Sequence, residues 1–165
     1  MRCKDNALLE INHSFRQKAY VDWKYQLFKN IVTTPPKKRF GKNGRIAYRF
    51  TTRSLPKLTT IYKQFYQEGR KIIPADLKIT NLSLAVWVMD DGCKSYRAMY
   101  LNTQKFDRSE QHRLAELLDT QHGIKTSINK DKKYWRLRVA VGSVGMLKRL
   151  VKPHFLPSLT YKLPS

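Results

Sequence analysis

The segment Leu82-Ser83-Leu84-Ala85-Val86-Trp87-Val88-Met89-Asp90-Asp91-Gly92 constrains this chain more than any other. It is apolar almost all round, so as a helix it has no face fit for water and belongs between two layers of a folded core. The run from Leu82 to Met89, interrupted by Ser83, is too short to span a bilayer. Small Ala85 lets another backbone approach closely. Two carboxylates then stand at the C-terminal end, where the helix dipole disfavours negative charge. That placement costs stability unless a cation or a metal compensates. An ordinary reading, with the acids solvated or paired to Lys or Arg, stands beside a functional one.

Periodicity divides the rest of the chain into alternating strands and helices. Residues 7–14 alternate weakly, as a strand would. From Phe15 the spacing becomes helical, with Phe15, Ala19, Trp23, Leu27 and Ile31 on one face. Pro35-Pro36 breaks that helix, Lys37-Lys38-Arg39 follows as a basic loop, and residues 41–44 read as a turn. Residues 45–53 are the clearest strand of the first half. Ile46, Tyr48 and Phe50 point one way, and Arg45, Arg49, Thr51 and Arg53 the other. Ser54 is placed to cap a helix that turns Leu58, Ile61, Tyr62 and Phe65 inward, with Pro56 in its first turn.

The second half repeats this grammar. Residues 96–104 are strand-like. Asp107 and Glu110 have capping-box spacing ahead of Leu114, Leu117 and Leu118, and Gly123 ends that helix. Residues 124–128 and 134–141 read as a hairpin, with Trp135, Leu137 and Val139 inward and Arg136 and Arg138 outward. Ser143 is expected to cap a last short helix through Leu147 and Leu150. The halves also match by position. Leu101-Asn102 lies 90 residues after Ile11-Asn12, Ser143 lies 89 after Ser54, and Lys162 lies 91 after Lys71. Three matches in order at nearly constant offset support an internal duplication. We therefore expect two half-domains, residues 1–78 and 79–165, with the apolar helix over 82–91.

Charge narrows the function. Lys and Arg number 33 against 12 Asp and Glu, a net +21. Hydrophobic content of 41% excludes a disordered basic tail, so this is a folded domain that repels itself unless polyanions screen it. Nucleic acid is the expected partner, and no membrane insertion is expected. No basic amphipathic helix stands apart to suggest a membrane surface. Cys3 and Cys93 make no disulfide framework. The first residues, Met1 to Asp5, read neither as a secretory signal nor as a transit peptide. His13, His112, His122 and His154 are scattered, and none has zinc-ligand spacing to a cysteine. Trp23, Trp87 and Trp135 fall on inward faces, and Tyr134, beside Arg136 and Arg138, is placed to stack on a base.

Residues 84–92 resemble the second signature helix of LAGLIDADG homing endonucleases, most of all the two-motif branch of organellar introns. The resemblance continues in order through Thr34-Pro35-Pro36, Tyr48-Arg49-Phe50, Thr52-Arg53-Ser54, Phe65-Tyr66, Lys71-Ile72-Ile73-Pro74 and Leu101-Asn102-Thr103-Gln104. It then runs from Val151-Lys152-Pro153 through Pro157-Ser158 to Tyr161-Lys162-Leu163. It implies an α+β fold of two pseudo-symmetric αββαββα halves with saddle-shaped antiparallel sheets. By this resemblance Asp91 would bind a catalytic Mg²⁺, and Lys71 and Lys162 would stand beside the scissile phosphates. The nucleic-acid face would carry Arg45, Arg49, Arg53, Asn102, Gln104, Tyr134, Arg136 and Arg138, with Lys37, Lys38 and Arg39 in the basic loop.

The chain departs from the family in one respect. The first signature helix is not found ahead of residue 5, and Asp5 follows no apolar helix that could make it a replacement. The truncated first half therefore leaves one metal-binding acid, and the flank of Leu84 and Val88 is expected to lack its packing partner until a second chain or an assembly covers it. Three readings follow. The favoured one is a non-catalytic protein on structured organellar RNA, either an intron or ribosomal RNA, in a mitochondrion before a chloroplast. The second is an active Mg²⁺-dependent DNA endonuclease completed by another polypeptide. The third is a chain whose start is incomplete.

Overall fold

Cross-strand pairing decides where the basic residues of the first half point. The computed structural model describes residues 2–3 and 5–164, with side chains from residue 5 onward, so the Cys3 thiol lies outside the described residues. The chain divides into two units, 1–67 and 68–165. The first runs β1 (Arg2–Cys3), β2 (Ala7–Leu8), β3 (Glu10–Ser14), α1 (Lys18–Phe28), β4 (Lys37–Phe40), β5 (Ile46–Thr51), α2 (Pro56–Phe65) and β6 (Tyr66–Gln67). Its three-stranded antiparallel sheet has the order β3-β5-β4. Ile11 lies opposite Phe50, and both are buried with Val21 of α1 while Tyr25, Phe28, Val32 and Tyr48 pack around them.

Three local expectations give way here. Lys37-Lys38-Arg39 is a strand, because β4 pairs residue for residue with β5 and gains a ladder that a loop would not have. The inward face of α1 is Tyr20, Val21 and Lys24, and Leu27 is 53% exposed. Strict four-residue spacing drifts by about 40° per step around a helix, so a series from Phe15 to Ile31 winds off any single face. Ser54 does not cap α2. Leu55 occupies the cap position without a side-chain bond, and Pro56 opens the helix.

The second unit runs β7 (Arg70–Lys71), α3 (Asn81–Asp91), β8 (Gly92–Ser95), β9 (Ala98–Leu101), α4 (Arg108–His122), β10 (Thr126–Asp131), β11 (Tyr134–Val139) and α5 (Val141–Val151). From α3 onward that is αββαββα, on a four-stranded sheet of order β10-β11-β9-β8. Met99, Leu101, Leu137 and Val139 are fully buried on its helix side. Asp107 caps α4 by accepting from the Glu110 N–H at 2.9 Å, which with the Ser109 hydroxyl holds its carboxyl below the ordinary value. The other half of the capping box is absent, because the Glu110 side chain accepts from the Ile73 N–H instead. Gly123 ends α4 at φ +65, the left-handed geometry that favours glycine. Ser143 is not a cap either. It lies inside α5, and its hydroxyl accepts from the Lys125 N–H at 2.9 Å.

Helix α3 contacts α5, β8 and β9. Leu84, Ala85, Val88 and Met89 are each at most 1% exposed, and burial of the three large side chains contributes about 1.5–3 kcal/mol apiece. The expectation of a bare Leu84–Val88 flank is therefore corrected. That face is covered within the unit, because the helix lies on the sheet with α5 beside it. The chain then leaves α3 into β8 with Gly92 at φ −72, where a Cβ would stand 2.4 Å from the Val88 carbonyl. Close approach, not unusual backbone geometry, requires glycine there.

The duplication has a structural counterpart. Strand order β3-β5-β4 in one unit corresponds to β9-β11-β10 in the other, and α1 starts 90 residues before α4. Cys3-Lys4 and Cys93-Lys94 are also 90 apart, a match that the strand pattern alone did not draw out.

A buried polar network ties β9, α4 and β11 together. Gln111, 1% exposed, donates to the Trp135 carbonyl at 2.8 Å and accepts from the Thr103 hydroxyl at 3.1 Å. The same hydroxyl accepts from the Leu137 N–H at 3.1 Å. Thr103→Val keeps the shape and strands that N–H, so urea unfolding should show a loss of about 1–3 kcal/mol. A change under 0.5 kcal/mol would mean the network adds little.

Candidate nucleic-acid interface

Each sheet turns one face to its helices, so the other is left for polar and charged side chains. In the second unit the register puts Ser127 opposite Arg138, Asn129 opposite Arg136, and Arg138 opposite Tyr100, which in turn lies opposite Cys93. These residues alternate with the buried Leu137, Val139 and Met99. The same parity carries the open face along to Asn102, Gln104 and Tyr134. The Arg136 guanidinium lies 3.9 Å from the Tyr100 ring centroid and 3.9 Å from an Asp131 carboxylate oxygen. Gln104 donates to the other Asp131 oxygen at 2.9 Å. Asp131 thus braces two of the expected base-reading side chains in fixed orientation. Sequence reasoning passed over it; the signal was its place two residues beyond Asn129 on the outward register.

In the first unit the open face carries Asn12, Arg49 and Lys37 in one cross-strand row, and Ser14, Ala47 and Arg39 in the next. Arg45, one residue before β5, continues the row of Ala47 and Arg49. Arg49 pairs with Glu10 at 3.1 Å, which holds it on the face. Lys38 departs from the expectation. It pairs with Tyr48 on the helix side, and its ammonium lies 4.3 Å from the Phe15 ring centroid. A period of two separates it from its neighbours. Arg53 lies past the end of β5, and its guanidinium donates to the Asn30 carbonyl at 3.1 Å, bracing the turn after α1.

The end of α3 carries the remaining expected residues. Asp90 and Asp91 are both exposed, and the Asp91 carbonyl accepts from the Asn102 N–H at 3.0 Å. Lys162 places a cation at this acidic helix end. Its ammonium donates to the Met89 carbonyl and, at 3.0 Å, to the Asp90 carbonyl. It therefore satisfies two orphan carbonyls and sets a positive charge at the negative pole of the dipole. Lys71 is exposed on β7, with its ammonium 5.2 Å from the Phe106 ring centroid.

Mg²⁺ takes near-octahedral oxygen ligation, often from one or two carboxylates plus phosphate and water. Among the described residues no group of three or more His, Cys, Asp or Glu could hold a metal, and Lys162 occupies the nearby carbonyls. The described residues thus offer the exposed carboxylates of Asp90 and Asp91 but no cage of three protein ligands for Mg²⁺. No helix among them is long and apolar enough to cross a membrane.

The model of the LAGLIDADG DNA endonuclease family matches residues 2–147. The chain belongs to the LAGLIDADG family. A solved structure, the homing endonuclease I-WcaI bound to its DNA recognition sequence, superposes with a TM-score of 0.88 at 27% identity, over 99% of this chain and 78% of that one. The cytochrome b mRNA maturase bI2 of Debaryomyces hansenii is 30% identical over 131 residues, 76% of this chain and 50% of that protein. The Saccharomyces cerevisiae maturase bI2 is 34% identical over 140 residues, 77% of this chain and 33% of that protein. The LAGLIDADG chain thus spans half or less of the maturases that it matches. A probable intron-encoded endonuclease of Wickerhamomyces canadensis is 27% identical over 98% of this chain and 76% of its own length.

In this LAGLIDADG chain the role of Lys162 can be isolated. Lys162→Met keeps the apolar stem and removes the donors. We expect a loss of about 1.5–3 kcal/mol on chemical denaturation, since a charged hydrogen-bond donor leaves two carbonyls behind. A stability equal to that of the parent would assign the compensation of the acidic helix end elsewhere.

Proposed function

We propose that this chain binds structured intron RNA through the open faces of its two sheets, and that it does so without cutting nucleic acid on its own. The observation that carries the reading is the pair of cationic sheet faces, with arginines braced by Glu10 and Asp131, together with one acidic helix end, Asp90-Asp91, among the described residues. Hydrolysis by the two-metal route needs carboxylates from two sides of the scissile phosphate. The wide minor groove and phosphates of A-form RNA suit recognition by shape and charge, which a face of Arg, Lys and Asn supplies. The maturase relatives support intron RNA over ribosomal RNA as the target. Their association with cytochrome b message supports a mitochondrion before a chloroplast.

A second reading has its own support. Asp91 is exposed at the end of the signature helix, and the I-WcaI structure is of a DNA complex. A second copy of this chain contributing its own signature helix would add a second carboxylate, and Mg²⁺ would then be the cofactor of a DNA endonuclease.

Plasmid nicking with Mg²⁺ and RNA binding by the same preparations separate the two. The RNA reading expects no nicking by the parent or by Asp91→Asn. It expects intron RNA bound equally well by both, with affinity falling steeply as salt rises because many phosphates are neutralised. Nicking that Asp91→Asn abolishes would overturn it.

A further inference from the structure

Two exposed tyrosines of the second unit, one at a hairpin tip and one beside the other tip, are not explained by a flat cationic face. Ser95 pairs with Ala98, so Tyr96 and Arg97 alone form the tip between β8 and β9. Tyr96 is 90% exposed and sits at φ +52, left-handed backbone that glycine or asparagine adopts at less cost. The fold thus holds a large aromatic ring in water, in a conformation that disfavours it, next to Arg97 along the chain. At the other end of the sheet Asp131 pairs with Tyr134, leaving Lys132-Lys133 as the tip. Tyr134 is 48% exposed, and the Lys133 ammonium lies 5.3 Å from its ring centroid. Since Leu137 lies opposite Leu101, Tyr134 stands level with position 104, eight residues along from Tyr96. At the rise of a strand that is on the order of 25 Å.

We propose that Tyr96 and Tyr134 are stacking platforms for unpaired bases, so that the RNA taken by the second unit carries single-stranded nucleotides at both ends of the stretch held by Arg136 and Arg138. This rests on the RNA reading above and specifies its substrate. Bases inside a duplex already stack on one another and offer no free face, whereas an unpaired base can stack on an exposed aromatic ring. Lys133, 5.3 Å from the Tyr134 ring centroid, and Arg97, the chain neighbour of Tyr96, are available to the phosphates of the stacked nucleotides. The separation of the tips is too great for adjacent nucleotides, so each ring takes its own base. A protein partner is the lesser fit, because Arg97, Lys132 and Lys133 at the two tips match a polyanion.

The test measures affinity of the full chain, at one fixed salt concentration, for two RNA probes. One is a blunt RNA duplex, and the other is the same duplex with unpaired nucleotides at both ends. The flanked probe should bind more tightly, and Tyr96→Ala or Tyr134→Ala should each reduce that advantage by about 5- to 100-fold, with Tyr96→Ala leaving affinity for the blunt duplex unchanged. Tyr96→Trp should restore it. Tyr96→Gly separates binding from folding, since it relaxes the turn and should preserve or raise Tm while losing the same affinity. Equal affinity of the parent for both probes, or variants that bind the flanked probe as the parent does, would overturn the proposal while RNA binding stands. Failure of the parent to bind either probe would overturn the RNA reading and this proposal together.

Discussion

The two-residue period of the strands is the constraint from which the rest of this structure follows. A sheet that buries Ile11 and Phe50, or Leu101, Leu137 and Val139, under helices must send the intervening residues the other way. Those intervening residues are Asn12, Arg49 and Lys37 in one unit and Arg136, Arg138 and Tyr100 in the other. Apolar burial thus does two jobs. It stabilises the layer, and it collects cations on one open face of each sheet. The geometry places Lys37, Arg39, Arg49, Arg136 and Arg138 on those open faces. Glu10 and Asp131 then hold individual arginines in place, at the modest energies typical of partly exposed ion pairs. Their contribution is orientation more than stability.

Helix α3 solves a harder problem. An apolar helix buried on the sheet has to end in two acids, at the pole of the dipole that least tolerates them. Lys162, from the last 3-10 turn, bonds the terminal carbonyls and supplies the opposing charge. Gly92 then lets the chain leave the helix where any Cβ would stand 2.4 Å from the Val88 carbonyl oxygen. The result is an exposed Asp91 on a rigid base. The lysine expected beside a phosphate is, in this arrangement, a helix-end cation. The two roles are compatible in principle, since an ammonium has three donors and two of its contacts are accounted for.

Much of this was legible in the residues, and the failures share a cause. The signature helix, the β10–β11 hairpin with Leu137 and Val139 inward, the Asp107 cap and the Gly123 stop are local patterns, and local patterns determine them. The family and the α+β fold followed from motifs in order along the chain. What could not be read locally depended on a partner distant in sequence. Lys37–Arg39 is a strand only because β5 lies beside it. Leu84 and Val88 are covered because the sheet lies under α3 and α5 returns beside it some 60 residues later. Ser54 and Ser143 looked like caps because serine favours that position, but Leu55 and Ala140 hold it, and Ser143 is used instead by the Lys125 N–H. Asp131 was missed as a brace because its partners, Arg136 and Gln104, meet it only once three strands align.

The segregation of faces is tested most directly by two neighbours that differ in nothing but register. Lys37 and Lys38 are both exposed, on opposite sides of β4. Lysine acetylation footprinting with and without bound intron RNA should find Lys37 protected and Lys38 modified at an unchanged rate. Equal protection of the two, or protection of Lys38 alone, would contradict the assignment of the open sheet face as the surface that meets nucleic acid.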